Sequence, residues 1–279
     1  MLSFLALTLA ISTPLILAAM AGYASERSGV VNIALEGIML GAAVTFAAAS
    51  PAFGPWGALA ASMGVGILLS LLHWLATQVY RLDHVISGMA VNALASGLSG
   101  FAFDRMREAG RTTEIPTLPT PLFQGLAILT PLVIALYVAR TRGGLRLVAV
   151  GSDPDKARLM GVAPLKVRLA ALTVCGILCA FGGAMLVSDV RGFTDNMTDG
   201  RGYIALAALV LGGWRPLPSA LAALGFGFLW SLRLRYQGAP LAGVQIPSEA
   251  WAALPYLATV LALAGFLGRS RTPAGLGKS

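Results

Sequence analysis

Long apolar runs separated by short polar stretches make up most of this chain. A hydrocarbon core about 30 Å thick takes roughly 20 apolar helical residues to cross. By that measure the runs at 2–22, 31–49, 56–80, 85–103, 121–139, 168–187, 203–213, 217–232 and 251–268 predict eight or nine spanning helices, the 203–213 run being the short one. The longest polar interruption runs from Arg140 to Arg168 and carries seven of the twenty Lys and Arg residues, opposed only by Asp153 and Asp155. Short basic loops stay on the cytoplasmic side because Lys and Arg resist translocation. Placing this loop inside puts 23–30, 81–84, Arg215 and the C-terminal tail inside as well. It puts 50–55, 104–120, 188–201, 233–250 and the N-terminus outside. The N-terminal run lacks a basic leader and a cleavage site, so it is expected to be a span rather than a signal peptide.

The 140–168 loop has structure of its own. Ser152 or Asp153 can cap a helix, Pro154 suits its first turn, and Asp155 favours the same positive end. Lys156 to Met160 would continue the helix, and Gly161 can end it in a left-handed conformation. The sequence therefore predicts a helix of about two turns, fixed in shape on the cytoplasmic side and suited to docking. An ordinary solvated turn is the plainer alternative.

Composition narrows the class. Of 279 residues 57% are hydrophobic and 11% charged, where an average soluble domain carries about 25% charged. The result is an all-α polytopic membrane protein. The net charge of +8 sits at span ends and in one loop, so it implies no nucleic-acid partner. Glycine is abundant, 33 residues, as in helices that pack closely in membranes. Cys175 and Cys179 have no His or carboxylate at metal spacing, so packing is expected of them and no metal site. No catalytic set and no nucleotide-binding loop is present.

Polar residues within spans carry the remaining information, because they usually face a bundle interior or a watery path. Ser28 and Gly29 can break the helix after the first span, and Asn32 and Glu36 follow at the entry to the second. Ser28, Asn32, Glu36, Ser87 and Asn92 are the candidates for lining a solute path, with helix packing an equal alternative for Asn92. Glu26 and Arg27 are expected to form an interfacial pair, and His73 and His84 to sit at span ends. The runs IALEGIMLG (33–41) and IALAALVLG (204–212) agree at five of nine positions. In the topology above they enter from opposite sides, the pattern of an inverted repeat.

Taken together, ERSGVVNIALEGIMLGAA, HVISGMAVNALASG, AVGSDPDKARLMGV and GRGYIALAALVLGGWRPL resemble, in order and over nearly the whole chain, the permease subunits of bacterial ABC importers for simple sugars and nucleosides. The first motif is most similar to the nucleoside branch. The resemblance implies a single permease domain over 1–279 with a fold like the vitamin B12 importer permeases. Its half-repeats would be about 1–103 and 168–268, with a linking span at 121–139 and a coupling segment at 140–168. It implies a second, related permease, a tandem ATPase that binds the ATP and magnesium, a substrate-binding lipoprotein and a small-molecule substrate, in a bacterial inner membrane. The coupling contacts would come from Ser152, Asp153, Pro154, Lys156, Ala157, Met160 and Gly161. The short seventh span and the Arg-rich 104–111 loop depart from the family pattern. The alternatives are a simple-sugar substrate, a proton-coupled carrier with Glu36 as relay, and an intramembrane protease using His84.

Overall fold

A computed structural model describes residues 2–236, 240–241, 244–245, 257, 260 and 272–278. Its helices are α1 (Leu2–Arg27), α2 (Leu35–Trp74), α3 (His84–Glu108), α4 (Thr120–Arg140), α5 (Arg142–Ser152), α6 (Pro154–Leu159), α7 (Pro164–Val190), α8 (Arg201–Leu211) and α9 (Pro216–Tyr236). A π-helical turn (Leu75–Val79) extends α2, and Pro240–Leu241 pairs with Val244–Gln245 in a minimal antiparallel ribbon. Among the described residues six helical stretches are long and apolar enough to cross a membrane: α1, α2 with its π turn, α3, α4, α7 and α9. The expected span at 251–268 and the basic residues Arg269 and Arg271 lie outside the described residues.

The runs at 31–49 and 56–80 are joined in one helical stretch, but it does not continue straight. Gly54 has φ +68° and ψ 170°, outside helical space, between Pro51 and Pro55. Proline removes a helical donor and glycine permits the positive φ. The Ser62 hydroxyl donates to the Ala42 carbonyl at 2.8 Å, twenty residues earlier, and His73 Nε2 lies 2.9 Å from the Val31 carbonyl. The stretch therefore folds back on itself as two antiparallel arms. The 203–213 run is the eleven-residue α8.

The loops gather in two groups. Residues 112–115 pair with 191–193, through Phe193 N–H to the Thr112 carbonyl at 2.9 Å and Ile115 N–H to the Arg191 carbonyl at 3.1 Å. Ser50 also bonds to the Pro116 carbonyl there. At the other end of α7, a 27-residue helix about 40 Å long, the end of α1, the 151–154 segment and the tail meet. This grouping matches the alternation expected from the charges.

Close packing follows the glycines. A Cβ on Gly66 would fall on the Gly176 carbonyl, and one on Gly176 on the Gly66 carbonyl, so α2 and α7 cross backbone to backbone. Gly183 abuts the Met39 carbonyl in the same way. Small residues are what allow helices to approach this closely. The main core lies between α1, α2, α7 and α8, with Met20, Ile38, Met39, Cys175, Cys179 and Leu209 inaccessible to solvent.

Candidate functional site

Two helices begin at one point. α1 ends at Arg27, and Gly29 (φ +98°) turns the chain into an irregular stretch that leads to α2 at Leu35. α8 begins at Arg201 after the left-handed Gly200. Glu36, in the first turn of α2, sits between them. Gly200 N–H donates to its Oε1 at 2.9 Å and Gly202 N–H to its Oε2 at 2.6 Å. Gly202 has no room for a side chain, since a Cβ would lie 2.5 Å from the Glu36 nitrogen. Helix N-termini carry unpaired N–H groups and partial positive charge. One carboxylate thus satisfies the open end of α8 while standing at the positive end of its own helix.

A cavity of about 360 Å³ opens beside this junction, lined by Glu36, Gly37, Leu40, Met89, Asn92, Ala93, Ser96, Asn196, Gly200 and Tyr203. Asn92 accepts from Gly37 N–H at 2.8 Å and donates to the Ile33 carbonyl at 3.0 Å and to the Tyr203 hydroxyl at 2.9 Å. Arg201 does not enter it: its guanidinium stacks on Trp230 at 4.6 Å and donates to the Met197 and Thr198 carbonyls. The structure thus brings Glu36 and Asn92 together. Met89, Asn196 and Tyr203 were not foreseen. The only sequence signal for Tyr203 is a polar aromatic in the first turn of a helix too short to span.

The other three path candidates are buried away from the cavity. Ser28 donates to the Ser25 carbonyl at 2.6 Å and closes α1. Asn32 accepts from Ala34 N–H at 3.1 Å and donates to Cys175 Sγ at 3.2 Å. Ser87 lies 2.9 Å from His73 Nδ1. His73 and His84 are buried too, not interfacial. Val31 N–H donates to His84 Nδ1 at 3.1 Å, and His73 Nε2 reaches the Val31 carbonyl. Unpaired backbone groups are costly in an apolar bundle, and these two histidines satisfy the irregular stretch. Arg168, 2% exposed, donates to the Ser28 carbonyl at 3.2 Å and to Gln78. Glu26 does not pair with Arg27; it accepts from Trp214 Nε1 at 2.6 Å, because its helix turn aims it inward at α8's far end.

The 140–168 segment contains two helices, α5 and α6. Asp153 rather than Ser152 caps α6, accepting from Lys156 N–H at 3.0 Å; Ser152 bonds back to the Val148 carbonyl and belongs to α5. That N–H and the Lys156 ammonium hold the Asp153 carboxyl below its usual pKa. The cap is complete above the ordinary aspartate range and is lost only as pH falls through the lowered value. At the other end Gly161 (φ +79°) donates to the Arg158 carbonyl and Val162 N–H to Ala157, the paired bonds of a glycine-terminated helix. Leu159 and Met160 are 88% and 83% exposed. Ala157 is 2% exposed and faces inward.

The tail closes this end. Gly275 N–H donates to the Gly151 carbonyl and Gly277 N–H to the Gly29 carbonyl, both at 2.9 Å. Pro273 and Gly275 are buried, and Leu276 packs against the cluster of Tyr23, Leu209 and Trp214. These tail residues therefore tie the end of α5 to the irregular stretch before α2. Among the described residues no group of His, Cys, Asp or Glu has metal-binding geometry.

Residues 4–264 match the family described as branched-chain amino acid transport system / permease component. The chain is 37% identical to the guanosine ABC transporter permease protein NupQ of Bacillus subtilis, over 97% of this chain and 93% of that one. It is 33% identical to the nucleoside ABC transporter permease protein NupC of Lactococcus lactis, over 94% and 91%. It is 31% identical to a putative glucose ABC transporter permease protein, TsgC13, of Haloferax volcanii, over 92% and 89%.

Proposed function

We propose, from the premise that the chain belongs to the branched-chain amino acid transport system / permease component family, that it is a membrane subunit of an ATP-driven importer of nucleosides. The observation that carries the substrate class is the Glu36 junction. Its carboxylate offsets the positive ends of two helices beside the cavity, which leaves amide, hydroxyl and aromatic groups to face a solute. Such a lining suits an uncharged polar molecule better than an anion. The names of the two relatives above 32% identity support a nucleoside. A simple sugar is the second reading, favoured by the Haloferax relative.

The motor is a separate tandem ATPase, which binds ATP and magnesium; a substrate-binding lipoprotein and a second related permease complete the importer in a bacterial inner membrane. No bond chemistry is assigned to this chain. The fold resembles vitamin B12 importer permeases, with inverted halves. This is supported by the pairing of α7 with α2 and of α1 with α8 and α9. Counting both arms of α2, the short α8 and the 251–268 run gives nine spans, or eight without α8. The ATPase grips α6 at Leu159 and Met160, the two most exposed large apolar side chains among the described residues. Movement of α6 passes through Gly151 to the end of α1, whose Arg27 carbonyl lies against it, and through the tail to the stretch before α2. Glu36 and Asn92 line the path; Ser28, Asn32 and Ser87 hold its walls.

Three experiments test this. Leu159→Asp combined with Met160→Asp is expected to lower substrate-stimulated ATP hydrolysis by the assembled transporter at least tenfold, with membrane level and thermal stability of the subunit unchanged. Normal stimulation would sink the coupling role. Lys156→Cys is expected to react with a membrane-impermeant maleimide in inside-out vesicles and not in intact cells, against a silent background because Cys175 and Cys179 are buried. Reaction from the external medium would reverse the orientation. Uptake driven by ATP and unaffected by an ionophore separates this reading from a proton-coupled carrier.

A further inference from the structure

We infer that Tyr203 is the specificity-determining residue of the cavity, reading the flat face of a nucleobase, and that Asn92 is its positioning residue. The inference rests on the nucleoside reading above. A side-chain amide has two donor hydrogens and one acceptor oxygen. Both Asn92 hydrogens are spent, on the Ile33 carbonyl and the Tyr203 hydroxyl, and its oxygen holds Gly37 N–H. The amide has no donor left for a solute. What it does is fix three things together: the irregular stretch before α2, the first turn of α2, and the phenol of α8.

Tyr203 is the group left available. Tyr203 is 47% exposed and lines the cavity. Its oxygen accepts from Asn92, and the hydroxyl hydrogen has no protein acceptor among the bonds of the described residues. Met89, 60% exposed, lines the same space. A ring tethered at its tip offers a face of fixed orientation, and a nearby thioether supplies a soft, adaptable contact. Every nucleobase has a π-face that stacks on an aromatic side chain, without need of hydrogen-bond readout. A free sugar has none. The larger purine face gains more from such a platform than a pyrimidine does, so the site predicts a preference as well as a class.

The test is competitive uptake of labelled guanosine, cytidine and ribose by cells making the whole importer, with receptor and ATPase constant in every arm. Wild type is expected to take up guanosine best. Tyr203→Ala is expected to lower guanosine uptake about tenfold, the size of one lost stacking contact, and cytidine uptake by less, so that the guanosine-to-cytidine ratio shifts towards cytidine. Tyr203→Phe keeps the ring and is expected to keep the ratio within about twofold. Asn92→Ala frees the phenol and is expected to move the ratio in the same direction as Tyr203→Ala, by less. If Tyr203→Ala fails to accumulate in the membrane, Tyr203→Leu keeps bulk without a π-face and the same shift is expected of it. An equal fall for all solutes in the Ala or Leu variant, with the ratio unmoved, would overturn the role of Tyr203 and leave the nucleoside assignment standing. Uptake of ribose and of no nucleoside by wild type would overturn both.

Discussion

Gly66→Leu is expected to destabilise the subunit by about 3 kcal/mol, at the upper end for overpacked cores, whereas Gly64→Leu leaves it unchanged. The two glycines lie on the same arm of α2, two residues apart. The Gly66 Cβ would fall on the Gly176 carbonyl with Ala180 Cβ at 3.3 Å, while nothing lies within 4 Å of one on Gly64. A side chain at Gly66 must separate α2 from α7, the most extensive helix pairing among the described residues. Neither backbone can give way, because each is held by its own helical ladder. Thermal unfolding of the purified subunit in detergent checks this. Equal melting temperatures for the two variants would mean that the arms are not in backbone contact.

Glu36→Ala is expected to abolish measurable uptake, with Glu36→Gln falling between the two. The carboxylate accepts from Gly200 and Gly202, and bonds to a charged acceptor are each worth about 1.5–3 kcal/mol. Alanine leaves both donors unsatisfied in a confined junction. Glutamine satisfies one with its oxygen and turns its NH₂ towards the other. The expected order of uptake is therefore Glu, then Gln, then Ala, with the melting temperature following the same order. A proton relay would instead make Gln as inactive as Ala with no loss of stability. Full activity of Glu36→Gln would show that the end of α8 is held by something else.

Local chemistry was the most legible part of this protein. Asp153, Pro154 and Gly161 mark the ends of α6 because a cap, a fixed φ and a positive φ each depend on one residue type. The apolar runs mark the six membrane-length helical stretches of the described residues for the same reason, because crossing a bilayer depends on a continuous stretch. What could not be read depends on partners far along the chain. Glu36 is visible as an acid in an apolar context, but the amides it serves lie 164 and 166 residues away. His73 and His84 look like residues at span ends until Val31 is seen between them. Asn92 reads equally as packing or lining; in the fold it bonds Gly37, Ile33 and Tyr203 and also borders a cavity. Ala157 sits amid solvated charges yet faces inward, because a two-turn helix has one face against the bundle.

The tail bears on the order in which contacts close. Gly275 and Gly277 each bond to a carbonyl far earlier in the sequence, at Gly151 and Gly29. Contacts between segments so distant form late, because the entropy of bringing them together is lost before any bond rewards it. The clasp therefore depends on a bundle that has already packed, and any change that loosens the helices beneath it undoes the clasp as well.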